Sequence, residues 1–368
     1  MRSKGIAILA ICTVLAVGAA AWSVYWRATS HALPPAPASL FPQLAQKVNE
    51  VAKLQVVSPE GSFTIAKGES GDWSMEEKSG YPVTYETVKQ AVIGLANLRP
   101  LEAKTARPEN HGKIKLVDPR DKGEGDQKGV LIQLIDGVGD KLAALIVGKT
   151  RSIQTEERDG WYYVRKPGEA QTWLAAARLD VWEKPTSWLD SETVRIERPR
   201  IRAAANRRPD GEMVKISRPS PEQTDFKVDN LPEGQEMIHD TVANSFGSAL
   251  GYLSFEDVAK AEAIDFSDAT VATFRTFDGL VLTVEVVARD DRHWAHFSAA
   301  FDPSEVRLDA VAQKDRKKLK TEKEVRAEAE RINKRFGPWA YDLPQYKAVD
   351  LTVPMSRLAA PKKKPDSS

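Results

Sequence analysis

Two stretches decide how this chain is read: VLIQLIDGVGDKLAALIV at residues 130–147 and TVATFRTFDGLVLTVEVV at residues 270–287. Each is an apolar run, an Asp-Gly step and a second apolar run. Asp-Gly supplies the positive φ angles of a tight hairpin, so Asp136-Gly137 and Asp278-Gly279 mark two β-hairpins. An aromatic strand follows each: Trp161-Tyr162-Tyr163-Val164 in one case, His293-Trp294-Ala295-His296-Phe297 in the other.

The parallel continues upstream. Val88, Ala91, Val92, Leu95 and Leu98 recur at helical spacing before the first hairpin. Ile238, Val242, Phe246, Ala249, Leu250 and Leu253 do so before the second. Ahead of each helix lies a strand pair, at 54–57 with 63–65 and at 214–216 with 226–228. The offset between matched positions falls steadily, from 163 at Phe63 and Phe226 to 133 at Trp161 and Trp294. The order is kept, as expected for a duplicated unit with shorter loops in its second copy.

The expected fold is therefore α+β: one N-terminal transmembrane helix, two tandem mixed sheet/helix units and a C-terminal charged helix. Arg2 and Lys4 precede an apolar run at 5–26, long enough as a helix to span a hydrocarbon core of about 30 Å. Trp22, Tyr25 and Trp26 end the run, where amphipathic rings favour the interface. Cleavage as a signal peptide after Ala21 is the rival reading. Residues 1–4 form the cytoplasmic tip and 27–52 a Pro/Ala-rich linker. The first unit takes 53–192 and the second 193–302. Residues 303–358 give the helix and an extended segment, and 359–368 a disordered tail. The helix at 313–336 carries i,i+4 pairs Glu322/Arg326 and Glu330/Lys334, shows few apolar residues and should be largely solvated.

Composition narrows the function classes. Of 368 residues, 53 are basic and 52 acidic, and a net charge of +1 gives no global field for nucleic acid. Hydrophobic residues at 42% allow a core and argue against wholesale disorder. The single cysteine, Cys12, lies in the apolar run, so no internal disulfide or cysteine metal site can form.

Catalytic and cofactor sites are not expected. His293 and His296 on one strand point to opposite faces, and His31, His111 and His239 are scattered. The chain has no Gly-x-Ser-x-Gly elbow, and Gly123-Glu124-Gly125-Asp126 lacks the lysine and helix of a phosphate loop. Asp180, Asp190, Asp290 and Asp291 lie near aromatics but read as turns and caps. The basic runs at 195–208 and 314–323 read as solvated faces. Aromatics are the most suggestive group: Trp161, Tyr163, Trp173, Trp182 and Trp188 are the candidate binding surface, with core packing as the competing reading.

Three features resemble domain-of-unknown-function family 4340. The first is Trp73 and Tyr81-Pro82 before a helix ending Gly94-Leu95-Ala96-Asn97-Leu98. The second is Gly148, then Trp161-Tyr162-Tyr163-Val164 and the segment 182–190. The third is Trp339-Ala340-Tyr341-Asp342-Leu343-Pro344-Gln345-Tyr346. Together they span most of residues 53–351. The resemblance implies one N-terminal span, an exported domain of repeated α/β units and an association with gliding-type ABC transport systems; it implies no catalytic residues. The expected function is a non-enzymatic accessory or scaffold subunit in the bacterial inner membrane, N-terminus cytoplasmic and C-terminal part periplasmic. Its expected partners are the lipid bilayer and multi-span transporter subunits. The alternative is a binding module for a cell-wall glycan or other envelope polymer.

Overall fold

The computed structural model describes residues 15–20, 22–23, 38–151, 160–179 and 181–362. The chain divides into two compact units, Met1–Glu76 with Val83–Trp188, and Glu77–Pro82 with Leu189–Ser368.

The first unit opens with the short helix α1 (Leu44–Lys47), then strands β1 (Val51–Ser58), β2 (Gly61–Lys67) and β3 (Trp73–Met75). The two-residue strand β4 (Tyr81–Pro82) belongs to the second unit. Helix α2 (Tyr85–Ala96) follows, then β5 (Arg99–Ala103), β6 (Val130–Asp136), β7 (Lys141–Arg151), β8 (Gly160–Arg165) and β9 (Thr172–Ala177). The second unit has β10 (Ile201–Arg207), β11 (Met213–Ser217), β12 (Lys227–Val228), β13 (Gln235–Met237) and helix α3 (Asp240–Ser248). It continues through β14 (Asp257–Lys260), β15 (Thr270–Thr276), β16 (Leu280–Arg289) and β17 (Arg292–Phe301). Helix α4 (Glu322–Phe336), β18 (Trp339–Asp342), α5 (Gln345–Leu351) and β19 (Ala359–Pro361) complete it.

The strands of the first unit's sheet run β3-β2-β1-β6-β7-β8-β9-β5, and those of the second run β12-β11-β10-β15-β16-β17-β18-β14. Position by position the connections are the same, and every pairing in the registers below is antiparallel. A local irregularity is repeated as well. The β1–β6 register slips between Val51 and Lys53, and the β10–β15 register slips between Ile201 and Ala203. A bulge at the same place in the same strand is hard to reach by chance, because it requires one extra residue at one position. One sheet face in each unit packs on its helix. Val88, Ala91, Val92 and Leu95 are buried on α2, and Ala243 and Phe246 on α3.

The second copy begins one strand earlier than its apolar pattern indicates. Val214 and Ile216 lie on β11, which corresponds to β2, and Val228 lies on β12, which corresponds to β3. The true first strand, IRAAANR, falls in the basic run at 195–208 and has too little apolar bulk to announce a strand. That run is not a solvated face: Arg200 is buried.

Three further expectations change. Residues 38–52 are not a linker throughout, because Leu40 and Leu44 are buried and 44–47 is helical. Helix α4 is shorter than 313–336 and is not largely solvated: Val325, Ala329, Ile332 and Phe336 form a buried stripe along β17. Its Thr321/Glu324 capping box fixes the start, and Glu322 and Arg326 pair at 2.8 Å. The segment after it is not extended to 358. It gives β18 between β17 and β14, then α5, and 359–361 pairs with β13 instead of starting a disordered tail.

Most of the apolar run 5–26 lies outside the described residues, as do 1–4, 27–37 and 363–368. Residues 15–20 and 22–23 are helical and exposed. Among the described residues no helix is long and apolar enough to cross a membrane.

Candidate functional site

The two sheets differ on the face turned away from their helices. In the first unit that face is covered over β6 and the adjoining end of β7, while Lys53, Gln55 and Val57 of β1 and Thr64 and Ala66 of β2 are not buried. Val130, Leu131, Ile132, Gln133 and Leu134 are buried in succession, so β6 is enclosed on both sides. The cover is the connection at 104–129. Its Leu116 forms a small core with Leu131 and Ile146, edged by Val57, Ala144 and Tyr163. Arg165 locks it: Nε and Nη2 donate to the Leu116 carbonyl at 3.0 and 2.8 Å, and Nη1 donates to the Glu169 carbonyl at 3.0 Å. Burial pushes the Arg165 guanidinium below its ordinary pKa against the opposing pull of the Asp118 and Asp121 carboxylates, and three hydrogen bonds to two carbonyls satisfy the buried fork. Gly148 lets the cover approach, since a Cβ there would stand 2.2 Å from the Ile114 carbonyl oxygen.

In the second unit the corresponding connection is only 261–269. It covers one end of the face, where Ile264 and Phe266 pack on Ala269, Val287, Trp294 and Ala340. The rest is open. Strand β15 alternates between buried and half-buried residues along its whole length. The pairings set the open side chains in rows. One runs Ser217, Ala203, Arg275, Val281, Ala300. The next runs Lys215, Ala205, Thr273, Thr283, Ser298. The third runs Met213, Arg207, Val271, Glu285, His296. None of these residues is buried.

The alanines make a low floor, and over it lies a concavity of about 560 Å³ lined by Ala203, Ala205, Arg207, Lys215, Val271 and Thr273 among others. Its charges are of two kinds. Arg275 donates to Glu305 at 2.9 Å, and Arg202 pairs with the same carboxylate. His296 holds Glu285 at 3.0 Å through Nδ1 and the Gly337 carbonyl at 2.8 Å through Nε2. Arg207 and Lys215 take part in no ion pair among the described residues. The site thus offers a shallow apolar floor, hydroxyls, the Asp229 carboxylate and two cations without an ion pair among the described residues.

The aromatic residues singled out from sequence do not form one surface. Trp188 is 0% and Trp173 7% exposed, so both are core residues, and Trp188 packs edge-on against Phe63. Their large apolar rings are taken up by the sheet interior. Tyr163 edges the core under the cover. Trp161 is half-buried below the Arg151 guanidinium, and Trp182 is 48% exposed while its carbonyl accepts from Trp188 Nε1.

The acidic candidates scatter too. Asp190 accepts from Arg335 at 2.6 Å, and Asp290 and Asp291 make the β16–β17 turn with φ of 50° and 61°. Asp180 lies outside the described residues. Among the described residues, no three or more His, Cys, Asp or Glu side chains are grouped so as to hold a metal ion. Sequence reasoning missed Ala203, Ala205, Arg207 and Lys215. The signal that could have found them is the contrast between continuous VLIQL at 130–134 and alternating TVATFRT at 270–276.

The second unit also contains a buried ionic cluster that is not repeated among the described residues of the first. Arg200 Nε donates to Asp278 at 2.9 Å, and Nη1 and Nη2 donate to Glu328 at 3.1 and 2.9 Å. Lys320 pairs with Glu328 at 2.7 Å, and Thr276 Oγ1 donates to Asp278 at 2.5 Å. Burial is the largest single influence and favours the neutral acids, but the hydrogen bonds and charge of Arg200, together with Thr276 and Lys320, outweigh it and hold both carboxyls below their ordinary range. The Asp of the Asp-Gly step is therefore a clamp for α4 as well as a turn residue.

A duplicated antiparallel sheet, with α2 on the first copy, α3 and α4 on the second, and an apolar cover from the 104–129 connection on the first alone, defines the class of this protein. The chain belongs to the family described as domain of unknown function (DUF4340), whose profile matches residues 73–272. The match runs from β3 of the first copy into β15 of the second, and 339–346 lies beyond it. Comparison with curated proteins and with solved structures returned no match.

Proposed function

We propose that this chain is a non-enzymatic, membrane-anchored accessory or scaffold subunit of a membrane complex. The anchor is the apolar run at 5–26, with the N-terminus cytoplasmic and the following units periplasmic. The partners are multi-span subunits of an ABC-type transport system. The observation that carries the reading is the open face of the second sheet. A half-apolar sheet surface with unpaired cations, left bare where the sister copy is covered, is the kind of surface that a partner protein occupies.

Affinity purification of the full chain from gently solubilised, mildly crosslinked membranes tests this. Co-recovery of multi-span and ATP-binding subunits is the expected result. Recovery of the chain alone, or a mature N-terminus at Trp22, overturns the anchored-subunit reading.

A further inference from the structure

We infer that the open face of the second unit is a docking site for an extended, acidic segment of a partner protein. This rests on the scaffold reading above and states which chemistry the partner brings.

The first copy shows how such a face is filled. There the occupant is the chain's own connection. Leu116 presses on Leu131 beside Val57, and Asp118 follows two residues later, held by Arg120 at 2.7 Å. By the shared register, Leu131 corresponds to Val271 and Val57 to Arg207. The second copy therefore keeps an apolar seat at Val271 but places Arg207 beside it, with Lys215 next to Ala205 in the adjacent row. Glu305 pairs with both Arg202 and Arg275, so that trio keeps one positive charge. Asp229 is a second carboxylate in the lining, held by Ser217 at 2.7 Å. With Arg207 and Lys215 in no ion pair among the described residues, the cations of the concavity still outnumber its acids, which calls for carboxylates from outside.

The floor also selects the occupant's shape. Ala203, Ala205 and Thr273 are low enough for a backbone to lie close, while the long side chains of Arg207, Lys215 and Arg275 stand around them as a rim. A segment with a Leu or Ile on Val271 and an Asp or Glu within three residues, reaching Arg207 and Lys215, satisfies floor and rim together.

The test places a photoreactive benzophenone side chain at Thr283 in the full chain, illuminates native membranes and sequences the crosslinked peptide. Support requires a segment of another protein with Leu or Ile within three residues of Asp or Glu. Support also requires at least a tenfold loss of that crosslink in the R207E/K215E double variant, with R289E as the unaffected control. Attachment to a basic or uncharged segment of another protein, or a crosslink undiminished by the double reversal, overturns the acidic-segment inference and leaves the scaffold reading standing. Attachment to a second copy of this chain, or no crosslink above that from position 220, overturns both.

Discussion

The first sheet and the second are the same object finished in two ways. The first closes its outer face over β6 with an apolar seal, Leu116 over Leu131 and Ile146, and binds the seal with Arg165. The second leaves that face open and puts its most elaborate contacts elsewhere, in the ionic cluster that ties α4 to the β15–β16 turn. A duplicated fold can therefore divide its tasks. One copy gains stability from a cover, and the other keeps a face free and is braced by an added helix.

The comparison breaks most visibly if the brace is removed. Asp278→Ala leaves a buried Arg200 short of one carboxylate and should destabilise the second unit by about 4 kcal/mol. Hydrogen-exchange mass spectrometry should show the loss across 270–301 and 322–342 while 51–58 and 130–147 keep their protection. Acid should act on the same unit. Asp278 and Glu328 have folded pKa values lowered below the unfolded ones, so their stabilisation is complete above the unfolded pKa and fades as pH falls through the folded one. Exchange in 270–301 should accelerate below about pH 4.5 before it does in 130–147.

Leu116→Ala is the counterpart in the first unit, costing about 3 kcal/mol through the cavity it opens against Leu131 and Ile146. Protection should fall in 104–136. Gly148→Val should cost about 2 kcal/mol by pushing back the Ile114 carbonyl, and urea midpoints would reveal it. Thr283→Val, on the open face, should change stability by less than about 0.5 kcal/mol. A loss comparable to that of Leu116→Ala would mean that the face is already packed.

Much of the architecture was legible because its determinants are local. The Asp-Gly hairpins, the helical stripes and the aromatic strands carry their own periodicity or turn chemistry. IRAAANR was not legible. Its strand character comes from pairing with β11 and β15, and its alanines carry no strong pattern. A charged helix is legible at 313–336 and forms over 322–336, but its buried stripe is hidden by a charged majority, including Glu328, which is buried only because Arg200 and Lys320 meet it. The candidate face was least legible of all. It is defined by what fails to cover it, and a missing cover becomes visible only once the two copies are aligned strand by strand. The tryptophans misled for the opposite reason: residue type showed that Trp173 and Trp188 were important, but not which way they point.

The position of α4 within the β17–β18 connection also bears on how the molecule comes into being. In the first sheet the equivalent strands β8 and β9 are joined by residues 166–171, so that hairpin can zip up locally. In the second, residues 302–338 intervene, and closing this longer loop costs about 1.6 kcal/mol more entropy by the logarithmic scaling. Strand β14 has β18 as its neighbour in the sheet, so it waits unpaired until Trp339–Asp342 has been made and delivered. The second copy should accordingly be the slower to assemble, with its final strand addition gated by the formation of a helix whose capping box nucleates it from one end.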